Sequence, residues 1–312
     1  MRFIGVFNRD GGTFRTMDID AFVTRAAGIF AERGHEFEAR VVAGDELIAA
    51  LERATDEAEV LLAGGGDGTI SAAAGLAFKR GVPLAVLPAG TMNLFARTLG
   101  MPLELDAALE AIADGEIAAV DIATANGRPF VHQFSVGIHA KLVKLRDQLT
   151  FRSRIGKMFA SVRAAAGVAM HPPNFHAEVQ TKRGAERRAT AGISVSNNPL
   201  EGPLLHAEGL DAGVLGIYVV APLTPWRMVK LCAGLVAGRW KALPEIIDRE
   251  AREVVLSFPQ RRSGAVAAID GELMSLPRRV ELRVHPGGLQ VVLPPAAAED
   301  EAADTAEIVL TP

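Results

Sequence analysis

One cysteine, Cys232, stands in a chain of 312 residues, so no internal disulfide can form and the composition fits a reducing cytoplasm. No apolar run reaches the roughly 18 residues that a membrane-spanning helix needs. The seven histidines are scattered without the spacing of zinc ligands. Positive charge is not in excess. The formal net charge of −4 argues against general nucleic-acid binding. No secretory leader is expected from the first residues, because Met1-Arg2-Phe3-Ile4-Gly5-Val6-Phe7 reads as a strand-length run that meets a turn at Asn8. There is no internal repeat. Hydrophobic residues make up 49%, enough for a real core in one large domain or two ordinary ones.

The most informative segment is Gly64-Gly65-Gly66-Asp67-Gly68-Thr69, between the apolar run Val60–Ala63 and a helical stretch opening at Ile70. Glycines at a strand-to-helix turn leave backbone N–H groups exposed, and the helix N-terminus adds positive potential. That favours phosphate. Asp67, a carboxylate amid such a loop, repels phosphate unless it faces a metal ion, a hydroxyl or water, so the loop suggests chemistry on a phosphate and Asp67 is a catalytic candidate. No Gly-Lys-Ser/Thr follows, which excludes a Walker A loop, and the dinucleotide spacing fails. The bland reading is a glycine-rich turn.

The first hundred residues alternate strand and helix. Strands are predicted at 3–7, 37–42, 60–63 and 83–87. Helices are predicted after Asp18 or Asp20 with Gly34 as stop, at 45–54 and at 70–80. Short apolar strands separated by helices predict an α/β fold with a parallel sheet covered on both faces. Ligands on such sheets bind at the carboxyl ends of the strands. Asn8, Gly64–Thr69 and Pro88–Asn93 all lie at such ends. Beyond about residue 120 strand-like segments dominate: 130–136, 175–182, 189–197, 213–220, 253–258, 265–269, and 280–292 folded at Pro286-Gly287-Gly288. The expected division is residues 1–120 as a nucleotide domain, 121–293 as a mainly antiparallel β domain, and 294–312 as an acidic, disordered tail.

Other candidates carry their own alternatives. Thr91 and Asn93 in Pro88-Ala89-Gly90-Thr91-Met92-Asn93 offer short polar groups to phosphate or ribose, or serve as a helix cap. Asn8-Arg9-Asp10-Gly11-Gly12 borders the nucleotide or is a plain turn. Ile269-Asp270-Gly271-Glu272 sets two carboxylates close together, a pair suited to acid–base work, or an Asp-Gly hairpin turn. Two basic amphipathic stretches, 153–170 and 225–240, suit an anionic membrane surface, with Trp226, Arg227, Lys230 and Trp240 turned to lipid, or are core-facing helices. His132 reads as a structural or surface histidine.

With these residues in view, the chain resembles the bacterial lipid kinases with a diacylglycerol-kinase catalytic domain. The resemblance rests on GGGDGT at 64–69, PAGTMNLFAR at 88–97, VDIATANGRPFVHQFSVGI at 120–138 and IDGE at 269–272, in matching order over residues 1–293. It implies an ATP domain, a β-rich lipid domain and an active site between them. By matching position it implies Asp270 as the base toward the lipid hydroxyl, Glu272 as its acidic partner, and Gly65, Gly66, Asp67, Gly68, Thr69 and Thr91 at ATP, with Asn93 close by. It also implies ATP and Mg²⁺, and a lipid substrate met at the membrane surface by a cytoplasmic, peripherally attached protein. A second copy of the chain joins the partners considered. The sequence departs from the family where Ser71-Ala72 replaces Asn-Glu, where Leu94 replaces an Asp, and where Leu210-Asp211-Ala212-Gly213 keeps one acid, Asp211, of a magnesium-binding turn. No tightly held ion is expected at 208–214. A kinase of a soluble substrate such as NAD, and a non-catalytic nucleotide or lipid sensor, are the alternatives.

Overall fold

Alternation of short apolar strands with amphipathic helices organises the first third of the chain. The computed structural model describes residues 1–148, 172–202, 206–207 and 209–295. Strands β1 (Arg2–Asn8), β2 (Glu36–Val42), β3 (Val60–Gly65) and β4 (Leu84–Pro88) alternate with helices α1 (Ile19–Glu32), α2 (Leu47–Glu57) and α3 (Asp67–Arg80). The four strands pair in parallel in the order β2-β1-β3-β4. Asp18 caps α1 by accepting the Ala21 N–H, and Gly34, at φ 72°, turns the chain after it. Phe22, Ala26 and Phe30 of α1 are buried against Phe3 and Phe7 of β1. The short α4 (Leu94–Thr98) and α5 (Leu105–Ala113) complete this half.

The second half begins with β5 (Glu116–Ala125), β6 (Arg128–Phe130), β7 (Gln133–Gly137) and α6 (Ile138–Gln148). Next come β8 (Phe175–Thr181), β9 (Gly184–Thr190), β10 (Gly192–Ser196), the two-residue β11 (Leu200–Glu201) and β12 (His206–Ala207), and β13 (Leu215–Val220). Then follow α7 (Pro225–Val236), β14 (Ile246–Ala251), β15 (Glu253–Ser257), β16 (Val266–Ile269), β17 (Glu272–Ser275) and β18 (Arg279–Leu293). An antiparallel sheet runs β14-β13-β10-β7-β16-β17. Its inner face (Phe134, Val136, Ile193, Ile217) packs on Val254, Leu256 and Leu282 of the first sheet's extension through β18, β15 and β8.

Several boundaries differ from expectation for physical reasons. Residues 280–292 do not fold back at Pro286-Gly287-Gly288. They form one strand, β18, with a bulge between His285 and Leu289, paired along its length with β5. Its Val280, Leu282 and Val284 lie in the second core, and Leu289, Val291 and Val292 in the first. The proposed division at residue 120 falls inside β5, whose Val120 and Ile122 lie in the first core and Ala123 and Ala125 in the second. The strand expected at 130–136 is interrupted at residues 131–132. The helix expected from 70 begins at Asp67, so Asp-Gly-Thr is its first turn and Gly66 its N-cap. The helix expected at 153–170 lies outside the described residues, as does the tail from 296.

The outer face of the antiparallel sheet is covered by helices. Between Gln133, Ser194, Tyr218 and Val220 of the sheet, Ile138 and Leu142 of α6, Leu231 and Leu235 of α7, and Trp240 lies a largely apolar cavity of about 160 Å³. Among the described residues no helix is long and apolar enough to cross a membrane.

Candidate active site

Three loops meet at the carboxyl ends of β1, β3 and β4, and the glycines set how closely. Gly12, at φ 53°, lies against Ala89, and a Cβ there would sit 1.7 Å from the Ala89 carbonyl oxygen. The neighbouring Thr13 N–H donates to that oxygen at 2.8 Å. Gly90 faces Gly66 so closely that a Cβ on Gly90 would come within 2.6 Å of the Gly66 Cα. A Cβ on Gly64 would strike Phe7 and Phe14, and one on Gly65 would strike Thr69. These glycines serve loop and core packing. Gly66 and Gly68 are different. A Cβ on Gly66 would meet only the Gly90 Cα at 3.8 Å, and one on Gly68 only Glu272 Oε1 at 3.2 Å. Gly66, Asp67 and Gly68 are the partly exposed positions of the string and form the start of α3, where helix N–H groups have no partner within the helix.

Asp67 ties two loops together. Its Oδ1 accepts the Leu94 N–H at 2.7 Å and its Oδ2 accepts the Asn93 N–H at 3.2 Å, so the carboxylate caps α4. Asn93 is buried with φ 50°. Its Oδ1 accepts the Gly90 N–H at 2.8 Å and its Nδ2 donates to the Gly90 carbonyl at 3.0 Å. Its side chain thus holds the turn from within and is not turned to a ligand. Thr91 is exposed at the rim, and Thr69 is buried beneath Gly65. Asn8 closes the first loop, its Oδ1 accepting the Asp10 N–H at 3.1 Å.

The Asp-Gly pair is both a hairpin turn and part of the site. Asp270 (φ 45°) and Gly271 (φ 80°) form the two-residue connection between β16 and β17, with Ile269 paired to Glu272. Two positive φ values in a two-residue hairpin are what Asp-Gly favours. The turn sends the Asp270 carboxylate into the gap between β6 and β7. There Oδ1 accepts the His132 and Gln133 N–H groups, each at 2.9 Å. Oδ2 accepts the Val131 N–H at 2.9 Å and the Ser71 hydroxyl at 2.7 Å. Ser71 belongs to α3, so Asp270 joins the β-rich half to the glycine-loop helix. Glu272 reaches the same helix, with Oε1 beside Gly68 and Oε2 accepting from Arg128 Nη2 at 2.9 Å.

His132, read in the sequence as a structural or surface histidine, stands close enough to the carboxylates of Asp270 and Asp67 to feel their charge. Its side chain is half-buried in this cleft. Burial pushes the imidazole below its ordinary range, and the carboxylates of Asp270 and Asp67 only partly offset that effect. A second polar group starts one residue later. Gln133 Oε1 accepts the Ser194 hydroxyl at 2.6 Å, and His139 Nδ1 lies 2.7 Å from Ser135 Oγ. Gln133, Ser194 and His139 give the apolar cavity its polar edge.

Asp211 is exposed. The buried acid of that region is Asp121, whose two oxygens accept the Gly213 N–H at 2.6 Å and the Gly287 N–H at 2.9 Å. Among the described residues no three His, Cys, Asp or Glu side chains gather as metal ligands.

Residues 2–125 match the diacylglycerol kinase catalytic domain. Over 285 residues the chain is 30% identical to the "Probable lipid kinase YegS-like" of Pseudomonas aeruginosa (strain UCBPP-PA14), an alignment covering 87% of this chain and 89% of that one. The chain belongs to this lipid kinase family. It is 25% identical over 264 residues to the uncharacterized protein sll0036 of Synechocystis, of which it spans 59%. A diacylglycerol kinase from Bacillus anthracis str. Sterne shares the fold, with a TM-score of 0.69, 16% identity and 95% and 97% of the two chains covered. As a lipid kinase the protein is an enzyme with a nucleotide substrate. The sequence motifs that carry the resemblance are the segments gathered at the cleft. At the positions where the sequence departs from the resemblance, the Ala72 side chain packs on the first core, and the backbone N–H groups of Leu94 and Ala212 donate to Asp67 and Asn198, bonds that do not depend on the side chain carried there.

Proposed function

We propose that the enzyme transfers the γ-phosphoryl group of ATP to a hydroxyl of an acyl-bearing lipid of diacylglycerol type, with Asp270 as the final acceptor of the hydroxyl proton. The observation that carries this reading is Gln133. Its backbone N–H is on the Asp270 carboxylate while its side chain lines the apolar cavity. A lipid with its acyl part in the cavity therefore has its polar end beside Asp270. The amides of Gly66, Asp67 and Gly68 at the α3 N-terminus suit the phosphates, and Thr91 and Asn8 border the nucleotide. Asp67 is a positioning residue that keeps the two nucleotide loops in register. Phosphoryl transfer depends chiefly on such positioning and on charge neutralisation. Mg²⁺ fits as an ion brought with ATP, held by phosphate oxygens and few carboxylates, and it supplies that neutralisation when bound. We assign no resident ion to Asp211.

A lipid substrate requires contact with a bilayer, and α7 suits it. Trp226, Val229 and Val236 are exposed on its outer face, with Lys230 set 6.0 Å from the Trp226 ring centroid. Its inner face, Leu231 and Leu235, walls the cavity. Trp240 does not share the outer face. It is buried, with Nε1 donating to the Gly202 carbonyl at 3.1 Å. The test is a panel of vesicles carrying diacylglycerol, other hydroxyl lipids or none, mixed with protein, Mg²⁺ and γ-labelled ATP. Label in a lipid product supports the reading, and label found only in a soluble acceptor such as NAD overturns it.

A further inference from the structure

A carboxylate offers about four lone-pair positions. At Asp270 the fold fills four, with the N–H groups of Val131, His132 and Gln133 and the hydroxyl of Ser71. A substrate hydroxyl meant to give its proton to Asp270 therefore finds each position taken. Three donors are backbone amides fixed at the break between β6 and β7. The fourth, Ser71 Oγ, is a hydroxyl that turns about one bond, and its oxygen keeps lone pairs of its own. Ser71 lies four residues after Asp67 on α3, one turn from the amides of the helix N-terminus and on the same helix face. It stands between the place for phosphate and the carboxylate.

We propose that Ser71 is a proton relay to Asp270, an inference that rests on the lipid kinase reading above. As the lipid hydroxyl oxygen bonds to the γ-phosphorus of ATP, its proton passes to Ser71 Oγ. The proton already on Ser71 passes to Asp270 Oδ2. The bond from the γ-phosphorus to the β–γ bridging oxygen breaks, and its electron pair leaves with ADP. The products are the phospholipid, ADP and a protonated Asp270, which releases its proton to water as product departs. The competing arrangement is direct displacement, in which the substrate hydroxyl pushes Ser71 aside and bonds Oδ2 itself. The two differ in what removal of the serine hydroxyl does.

The experiment compares wild type, Ser71→Ala, Ser71→Thr and Asp270→Asn in single-turnover phosphorylation of the lipid the wild type accepts, in light and heavy water. The relay predicts that Ser71→Ala loses about 10²-fold in rate, the low end of acid–base assistance, with ATP affinity unchanged. It predicts that Ser71→Thr keeps most of the rate. It also predicts a curved dependence of the wild-type rate on deuterium fraction, from two protons in flight, that becomes linear in Ser71→Ala. Should Ser71→Ala lose cooperative unfolding, Ser71→Cys, of similar size and a poor donor, takes its place. Ser71→Ala at or above wild-type rate with Asp270→Asn impaired means direct displacement and overturns the relay alone. Equal impairment of Ser71→Ala and Ser71→Thr means a packing role and also overturns it. A fully active Asp270→Asn, or a wild type that phosphorylates no lipid, overturns the reading beneath it as well.

Discussion

Glycines of two facing loops do different work, and substitution separates them. Gly66 has open space where a Cβ would go, whereas Gly90 has the Gly66 Cα at 2.6 Å. Gly66→Ala is expected to weaken ATP binding about 10- to 100-fold, the scale of losing one or two hydrogen bonds to a charged group. Its melting temperature should change little. Gly90→Ala should lower both. Calorimetric titration with ATP and a thermal scan of each variant check this, and unchanged affinity in Gly66→Ala would contradict the loop assignment. The string was legible as a glycine-rich strand-to-helix turn, but its division into packing and open positions was not, because that depends on Phe7 and Phe14 from another segment. Asn93 shows the same limit. A short polar residue in a turn looks the same in sequence whether it faces ligand or backbone.

His132 yields a pH prediction with a definite sign. Its pKa is lowered in the fold by burial, against an unfolded value near 6.5. Below about pH 6.5 the unfolded chain binds a proton that the folded chain resists, so stability falls as pH drops through that window. Above it both states are neutral at this site and the effect vanishes. Urea unfolding of wild type and His132→Gln at pH 7.5 and 5.5 tests this. The wild type should lose more stability between the two pH values than the variant, and equal losses would remove His132 as the cause.

Among the elements, α7 and the β16–β17 hairpin show how one segment can meet the structural reading and leave the functional one to experiment. The helix at 225–240 was open to a core role or a membrane role. Met228 and Leu231 are buried while Trp226 is 67% exposed and Val236 is 83% exposed, so one face packs on the core and the other is open to the proposed membrane contact. Arg227 pairs with Glu245 at 3.5 Å and is a poor choice for charge reversal. Trp226→Ser with Lys230→Glu is the better variant. A basic residue near an anionic surface is worth about 1 kcal/mol, roughly fivefold in affinity, and loss of the indole adds to it. Sedimentation with anionic vesicles should fall by at least about tenfold, with the melting temperature kept, and binding by wild type should weaken with salt. A loss of folding instead would place this face in the core.

The parallel strands and their helices were legible because period and caps are local. The continuous β18 was not, because its partner β5 lies some 160 residues earlier and a Pro-Gly-Gly run reads as a hairpin on its own. The break at residues 131–132 was hidden for a related reason. The three amides there are satisfied by one carboxylate from residue 270, and nothing in the apolar pattern of 130–136 marks it.

For the whole molecule, two cores share β5 and β18, and the cleft between them is bridged by side chains from both halves. Ser71 to Asp270 and the approach of Glu272 to Gly68 join the glycine-loop helix to the β-rich half. Chemistry at such a seam would need both halves in register, and these contacts bring segments 199 residues apart to one place. The central claim is that this cleft phosphorylates a lipid hydroxyl through Asp270. The direct measurement is turnover of γ-labelled ATP into lipid by wild type and Asp270→Asn, normalised to the folded fraction. That normalisation matters because the new amide N–H₂ faces backbone donors, a loss of about 1–3 kcal/mol in stability. The account predicts a fall of about 10²–10⁴-fold in turnover with ATP affinity nearly unchanged. Wild-type turnover by folded Asp270→Asn would contradict it.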